Sequence, residues 1–469
     1  MIVAAVLAAL TAAHLSVSTT NPRAQDAFDR GLFLYYAYDR EASERAFGAA
    51  AVLDPHLAIA YWGEALAAGP DLNTPMTRER WERGGAAILR AVALEGGASS
   101  LERSLIDAMA GRYRGSWDDW SKDDAAYRQS MTKIAQSSGD PNVQLLTAEA
   151  LLERGESPQV LALVNGALRR DPLDPMANHL CIHAYEDEID RAPGLPCSQR
   201  LDAAPFSPEA EHLAHMPAHY WIETGDYPKA LASSERAYAL IEQLERSGQD
   251  AAHVQQYAGH DVVVGYGAAM MLGNYATAST WAARMDQRFG VRFGPLTALR
   301  FGRYAEQLGF SADVGSYPVR GLALLHLGRI VEARSIANQI REMARSTGSS
   351  YLPELFLARL SEIDGKIDDA IAWLDRAREN QHALYSAEII PPIPAEEALG
   401  GMFLRAKRYA DAVDAFNACL GAYPNDPRAL FGLSEALKGL GRDAEASHAR
   451  AQFENAWHGA DTTLTIDDF

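Results

Sequence analysis

The sequence predicts an all-α fold, a tetratricopeptide-like right-handed α-solenoid of about eight helix hairpins, and three observations predict it. A turn of the form Gly-x-aromatic followed by Ala recurs along the chain. Ala, Leu, Arg and Glu are plentiful while β-branched and aromatic runs are few, a helix-forming composition. The irregular stretches between the turns are short, so none separates domains.

In chain order, Gly31, Phe47, Ala50 and Pro55 mark the first unit of a repeat about 34 residues long. Gly closes the first helix of a hairpin, and Ala lets the second approach closely. Gly225-Asp226-Tyr227 with Ala230 repeats the turn, as does Gly273-Asn274-Tyr275 with Ala278. Gly328 with Ala333 and Gly365 with Ala370 are weaker copies; Arg408-Tyr409 with Ala412, Phe416 and Pro424 is a clear one, followed by Gly441 with Ala446. Between them, Gly69 to Met76 reads as a loop, residues 112–123 as a polar-aromatic turn, Gly309 to Tyr317 as irregular, and Pro391 to Pro394 as a helix break. These signals predict one solenoid over 21–469: irregular hairpins over 21–130, a histidine-rich centre over 131–290, regular hairpins over 291–460 and a polar tail over 461–469.

A formal charge of −19 argues against a nucleic-acid or anionic-membrane surface, which needs clustered Lys and Arg. Residues 1–20 open on an apolar run, Met1 to Ala13, too short to span a bilayer but suited to a signal peptide. No Lys or Arg precedes that run, against the usual pattern. Export to a periplasmic or secreted location is the reading favoured over a cytoplasmic one, and no membrane span is expected. Among three cysteines, Cys181 and Cys197 flank a helix-turn-helix where a disulfide fits, and Cys419 takes an alanine-like packing position.

Seven of the thirteen histidines lie between His179 and His260. His179, His183 and Glu186 follow at i, i+4 and i+7, within about 60° of one another on a helix. His212, His215 and His219 form a second group, with Pro217 expected to kink their helix. Imidazoles paired at i, i+4 can grip one metal ion, so His179, His183, His215, His219 and His260 are the expected ligands. A set rich in imidazole and poor in thiolate suits a transition metal, copper favoured over zinc or iron. Glu186 would orient an imidazole or act as base, Tyr185 and Tyr257 would donate hydrogen bonds, and Trp62, Asn73 and His212 would line the pocket. His14, His56, His253, His326, His382, His448 and His458 read as ordinary histidines, His253 in a polar loop after Gly248.

Ala177-Asn178-His179-x-x-Ile182-His183-Ala184-x-Glu186, followed by His212-Leu213-x-His215-Met216-Pro217-x-His219, resembles a family of bacterial tetratricopeptide-repeat proteins. Ala60-Tyr61-Trp62-Gly63, Gly69-Pro70-x-Leu72-Asn73, Ala429 to Leu433 and Phe453-x-x-Ala456-Trp457 extend the likeness over nearly the whole chain. The resemblance implies a fold and supplies no activity. Where that family carries an Asn-His pair near the end of the first helix, this chain has Asp39-Arg40, one imidazole fewer.

The functional expectation is therefore a groove site built round a histidine-bound metal, a metal-dependent redox or hydrolytic enzyme acting on a small molecule. The alternatives are a non-catalytic scaffold binding peptide or protein partners, and a metal carrier.

Overall fold

The computed structural model describes residues 13–152, 157–186, 188, 190–248, 251–311, 313–345, 350–385 and 389–469. The expected leader thus lies largely outside the described residues. Among them the secondary structure is helical throughout, without a strand, and no helix is long and apolar enough to cross a membrane. The fold is all-α, made of tetratricopeptide-like helix hairpins, and it divides into two compact units: Met1–Tyr220 with Arg236–Ala258, and Trp221–Glu235 with Gly259–Phe469.

The first unit stacks the hairpins Pro22–Tyr36/Arg40–Leu53, Ala58–Ala67/Arg78–Leu94, Ser100–Arg112/Trp120–Ser138 and Pro141–Leu152/Ser157–Arg170, then Pro175–Glu186/Leu195–Ala203. These N-terminal hairpins are regular, although the sequence suggested otherwise. Their helices start on polar caps: Asn21 accepts from the amide of Arg23, and Ser99 forms a reciprocal capping box with Glu102. The expected turn at 112–123 is shorter than that, because a 3₁₀ turn at Trp117–Asp119 leads into a helix at Trp120.

In the second unit the hairpins run from Tyr275–Phe289 to Asp443–Ala456. Gly225, Gly273, Gly328, Gly365 and Gly441, the turn glycines read from sequence, all adopt positive φ, between 68° and 76°, where a side chain would be strained. The alanines five residues on, Ala230, Ala278, Ala333 and Ala370, are fully buried, and Ala446 nearly so. Small residues there let the second helix close on the first.

Glycine also sets the distance between hairpins. A Cβ on Gly31 would meet the Phe47 ring at 2.7 Å, and one on Gly63 would meet it at 2.4 Å. Phe47 is therefore clasped between two backbones, each sixteen residues away. Phe416 sits the same way between Gly400 and Gly432, at 2.7 and 2.1 Å. The aromatic keys the stack, and the missing side chains make its slot.

Two further elements differ from expectation. Within residues 461–469, expected as a polar tail, Leu464 and Phe469 are buried and Ile466–Asp468 forms a 3₁₀ turn. His253 lies on the helix Ala251–Met271, not in a loop.

Candidate metal centre

The helix Pro175–Glu186 carries the first two histidines. Its start is fixed by Asp174, which accepts the Ala177 amide at 2.9 Å, while the Asn178 side chain donates to the carbonyls of Pro172 and Asp174. Burial pushes the Asp174 carboxyl up to about 6. Cys181 on this helix is disulfide-bonded to Cys197 of Leu195–Ala203, which ties the two helices together. His179 and His183 project from one face a turn apart, their ring centroids 4.9 Å apart.

The second group is arranged by proline, though not as a kink in one helix. The helix Glu211–His215 stops, and a new one opens at Pro217, whose missing amide proton costs nothing in a first turn. His212 and His215 lie on the first piece and His219 on the second.

Five imidazoles then close a ring. Centroid separations are 4.9 Å for His179–His183, 5.9 Å for His183–His219, 4.7 Å for His219–His215, 6.3 Å for His215–His212 and 5.1 Å for His212–His179. His179, His183 and His212 each place one ring nitrogen within 4.8 Å of the others. Two imidazole nitrogens on a tetrahedral ion with bonds near 2.0–2.1 Å sit roughly 3.3 Å apart, so an inward rotation of about 1 Å brings them to bonding distance. The structure thus joins His179, His183, His215 and His219 with His212, which the sequence grouped with His215 and His219 but assigned to the pocket lining. His260 belongs to the second unit, its Nδ1 3.3 Å from Asp261 Oδ1; its place as a ligand rests on the sequence.

Glu186 joins the ring from its edge. Its Oε2 lies 2.7 Å from His183 Nδ1, and its Oε1 lies 3.5 Å from His219 Nδ1. A carboxylate on Nδ1 fixes the proton there and turns the lone pair of Nε2 to the other side, the usual arrangement behind a metal-bound imidazole. His179 is wholly buried; the Tyr36 carbonyl interacts with it weakly, yet neither ring nitrogen completes a hydrogen bond among the described residues. Burial first, then the fields of His183, His219 and Arg40, hold its basicity well below the ordinary imidazole range. A neutral ring keeps a lone pair for an ion.

Sequence reasoning missed one residue here altogether. Tyr38 stacks on His212, centroids 5.0 Å apart and planes 11° apart, and meets His179 edge-on at 4.7 Å. Its φ is 61°, and it holds the turn position that other hairpins give to glycine. A bulky residue in left-handed backbone is strained, and strain of this kind collects at functional sites. The phenol is buried with no hydrogen-bond partner among the described residues, and burial keeps its proton on far above the ordinary range. The absent glycine was the available signal. Tyr257 covers His212 on another side at 4.8 Å, and the side chains of Thr74 and Asn73 reach its hydroxyl.

Arg40 is held by two carboxylates. Its Nε donates to Asp71 at 2.8 Å and its Nη2 to Glu149 at 2.6 Å, and its guanidinium lies over the Tyr35 ring at 3.7 Å. All three charged groups are buried, so they persist only as a set. The loop 69–76 presents Asp71 to Arg40. Of the other expected site residues, Trp62 is buried in the helix Ala58–Ala67, and Tyr185 lies against Gly194, two residues from His183 and on a different face.

No family model matches the chain, and no curated protein matches it. Among solved structures it is similar to one titled "Crystal structure of APC/C hetero-tetramer Cut9-Hcn1", at 16% identity and a TM-score of 0.35, over 92% of this chain and 76% of that one.

Proposed function

We propose that this chain is a helical-repeat binding protein without turnover of its own, and that its first unit holds a transition-metal ion in the histidine ring. The single observation that carries this reading is the closed ring of five imidazoles, four of them buried and three with nitrogens within 4.8 Å. Buried polar groups are ordinarily paired, and beyond the Tyr36 carbonyl no protein group meets the His179 ring nitrogens at hydrogen-bonding geometry among the described residues. An ion would satisfy them. Imidazole ligands favour copper, then zinc or iron, and the Cys181–Cys197 bond supports an oxidising, exported setting for copper or zinc.

A scaffold or carrier is preferred to the enzyme expected from sequence because the rings are closed in. His179, His212 and His215 have no exposed surface and His219 has 1%. Turnover needs an open coordination position reached by substrate, and such burial favours holding an ion over exchanging a reactant. The hairpin framework meanwhile supplies binding surface for a peptide or protein.

Elemental analysis of protein purified without a histidine tag tests this. About one equivalent of copper or zinc is expected, lost in His179→Ala with His212→Ala. Metal at trace level in wild type, with no gain on dialysis against copper or zinc, would overturn the proposal. Sustained oxidation or hydrolysis of small molecules by the loaded protein would overturn the non-catalytic part alone.

A further inference from the structure

In the second unit, the last residues of the sequence lie in a groove. Phe469 packs its ring on Phe416 and Phe431, at 5.5 and 6.1 Å. Its Cβ lies 2.0 Å from where a Cβ on Gly401 would be, so the helix Ala395–Arg405 admits it only because residue 401 is glycine. Arginines hold the backbone of the segment. Arg405 donates from Nη1 to the carbonyl oxygens of Phe469 at 3.0 Å and Ile466 at 3.2 Å, and Arg428 donates to that of Asp468. Both arginines are themselves anchored, Arg405 by Glu362 and Arg428 by Glu397, at 2.7 to 2.9 Å. The Asp468 carboxylate accepts from Tyr304 at 2.8 Å.

We propose that this groove is a docking site for a peptide segment in which acidic residues precede an aromatic one, and that Ile466–Phe469 occupies it in cis. An aromatic anchor in a pocket, backbone carbonyls met by fixed guanidiniums and one carboxylate on a phenol form a recognition pattern. It is a pattern of segment binding, because Ile466, Asp468 and Phe469, within one four-residue stretch, supply it. The seat is also incompletely filled: a cavity of about 50 Å³, lined by Leu322, Leu355, Leu374 and Met402, borders Phe469. A cis segment has an effective concentration in the millimolar range when its linker is short, so a partner of the same chemistry docks only by displacing it. The occupant in trans is another protein's acidic-aromatic segment.

The test uses the full chain and a fluorescent peptide of the sequence Thr463 to Phe469. Phe469→Ala is expected to bind it at least tenfold more tightly than wild type by anisotropy. Adding Arg405→Ala should abolish the gain, and a scrambled peptide should not bind. No binding by a Phe469→Ala protein that melts normally overturns the proposal, as does equal binding of the scrambled peptide. Should Phe469→Ala fail to fold, a protease site inserted after Gly459 lets the segment be cut in the folded chain. Exchange of the cut segment for labelled peptide supports docking. A segment that never exchanges under excess peptide is an integral part of the core, and that result overturns it.

Discussion

Glu186 Oε2 and His183 Nδ1 are 2.7 Å apart, and this contact decides which nitrogen of the imidazole faces the ring. The carboxylate accepts a hydrogen bond from Nδ1–H, so Nε2 carries the lone pair. Glu186→Gln keeps the shape and removes the charge. It is expected to weaken metal binding about 10- to 100-fold with little change in the melt of metal-free protein. Competition titration with a chelating dye reads this, and unchanged affinity would remove Glu186 from the site.

Tyr38 and Lys407 share a left-handed turn conformation, φ 61° and 56°, but not a role. Lys407 is exposed, so Lys407→Gly relieves strain at little cost and should stabilise by roughly 0.5–1 kcal/mol. Tyr38→Gly relieves the same strain and loses a buried ring, which costs about 3–5 kcal/mol. Urea denaturation should give opposite signs. Two stabilising substitutions would mean that Tyr38 is not held by its packing on His179 and His212.

Phe47 should be intolerant of any side chain at its two flanking glycines. Gly63→Ala and Gly31→Ala each place a carbon well inside contact distance of the ring and should cost about 1–3 kcal/mol. Combining Gly63→Ala with Phe47→Leu should recover part of that loss. Simple additivity in the double-mutant cycle would show that the clasp is not the cause.

Asp426 gives the fold a pH dependence of defined sign. Burial first, then the neighbouring Glu397, push its carboxyl up to about 6 from 3.8. The folded state therefore binds its proton more tightly than the unfolded chain does. Stability from this group is complete below about pH 4 and lost as pH rises through about 6, at most about 3 kcal/mol. Asp174 acts in the same direction. Glu397, held low where Arg300 and Arg428 outweigh burial, acts oppositely, with stability present above the ordinary carboxylate value and lost as pH falls. Asp426→Asn should keep the helix cap to Arg428 and Ala429 and flatten the decline between pH 4 and 6. Parallel stability curves for variant and wild type would rule this out.

Much of the fold was legible because its signals are local. A turn glycine reports its φ through the residues beside it, and the following alanine reports helix approach, so Gly225 with Ala230 and Gly273 with Ala278 could be read directly. Tyr38 hid one turn, since it took the conformation without the residue that announces it, whereas the turn at Lys407 stayed legible through Tyr409 and Ala412. The tail was misread for a related reason: Leu464 and Phe469 look like isolated apolar residues until Arg405 and Gly401, about sixty residues earlier, are brought beside them.

The sequence alone determined the helical-repeat class and the pairing of His179 with His183, because helical periodicity places residues four apart on one face. It also marked Cys181 and Cys197 as able to meet. Tertiary structure alone decided that two histidine groups, separated by more than a helix, close into one ring with His212 included. It alone brought Tyr38 against that ring and Arg40 between Asp71 and Glu149. Periodicity fixes direction within a helix, whereas the distance between helices depends on packing contacts that no single segment encodes.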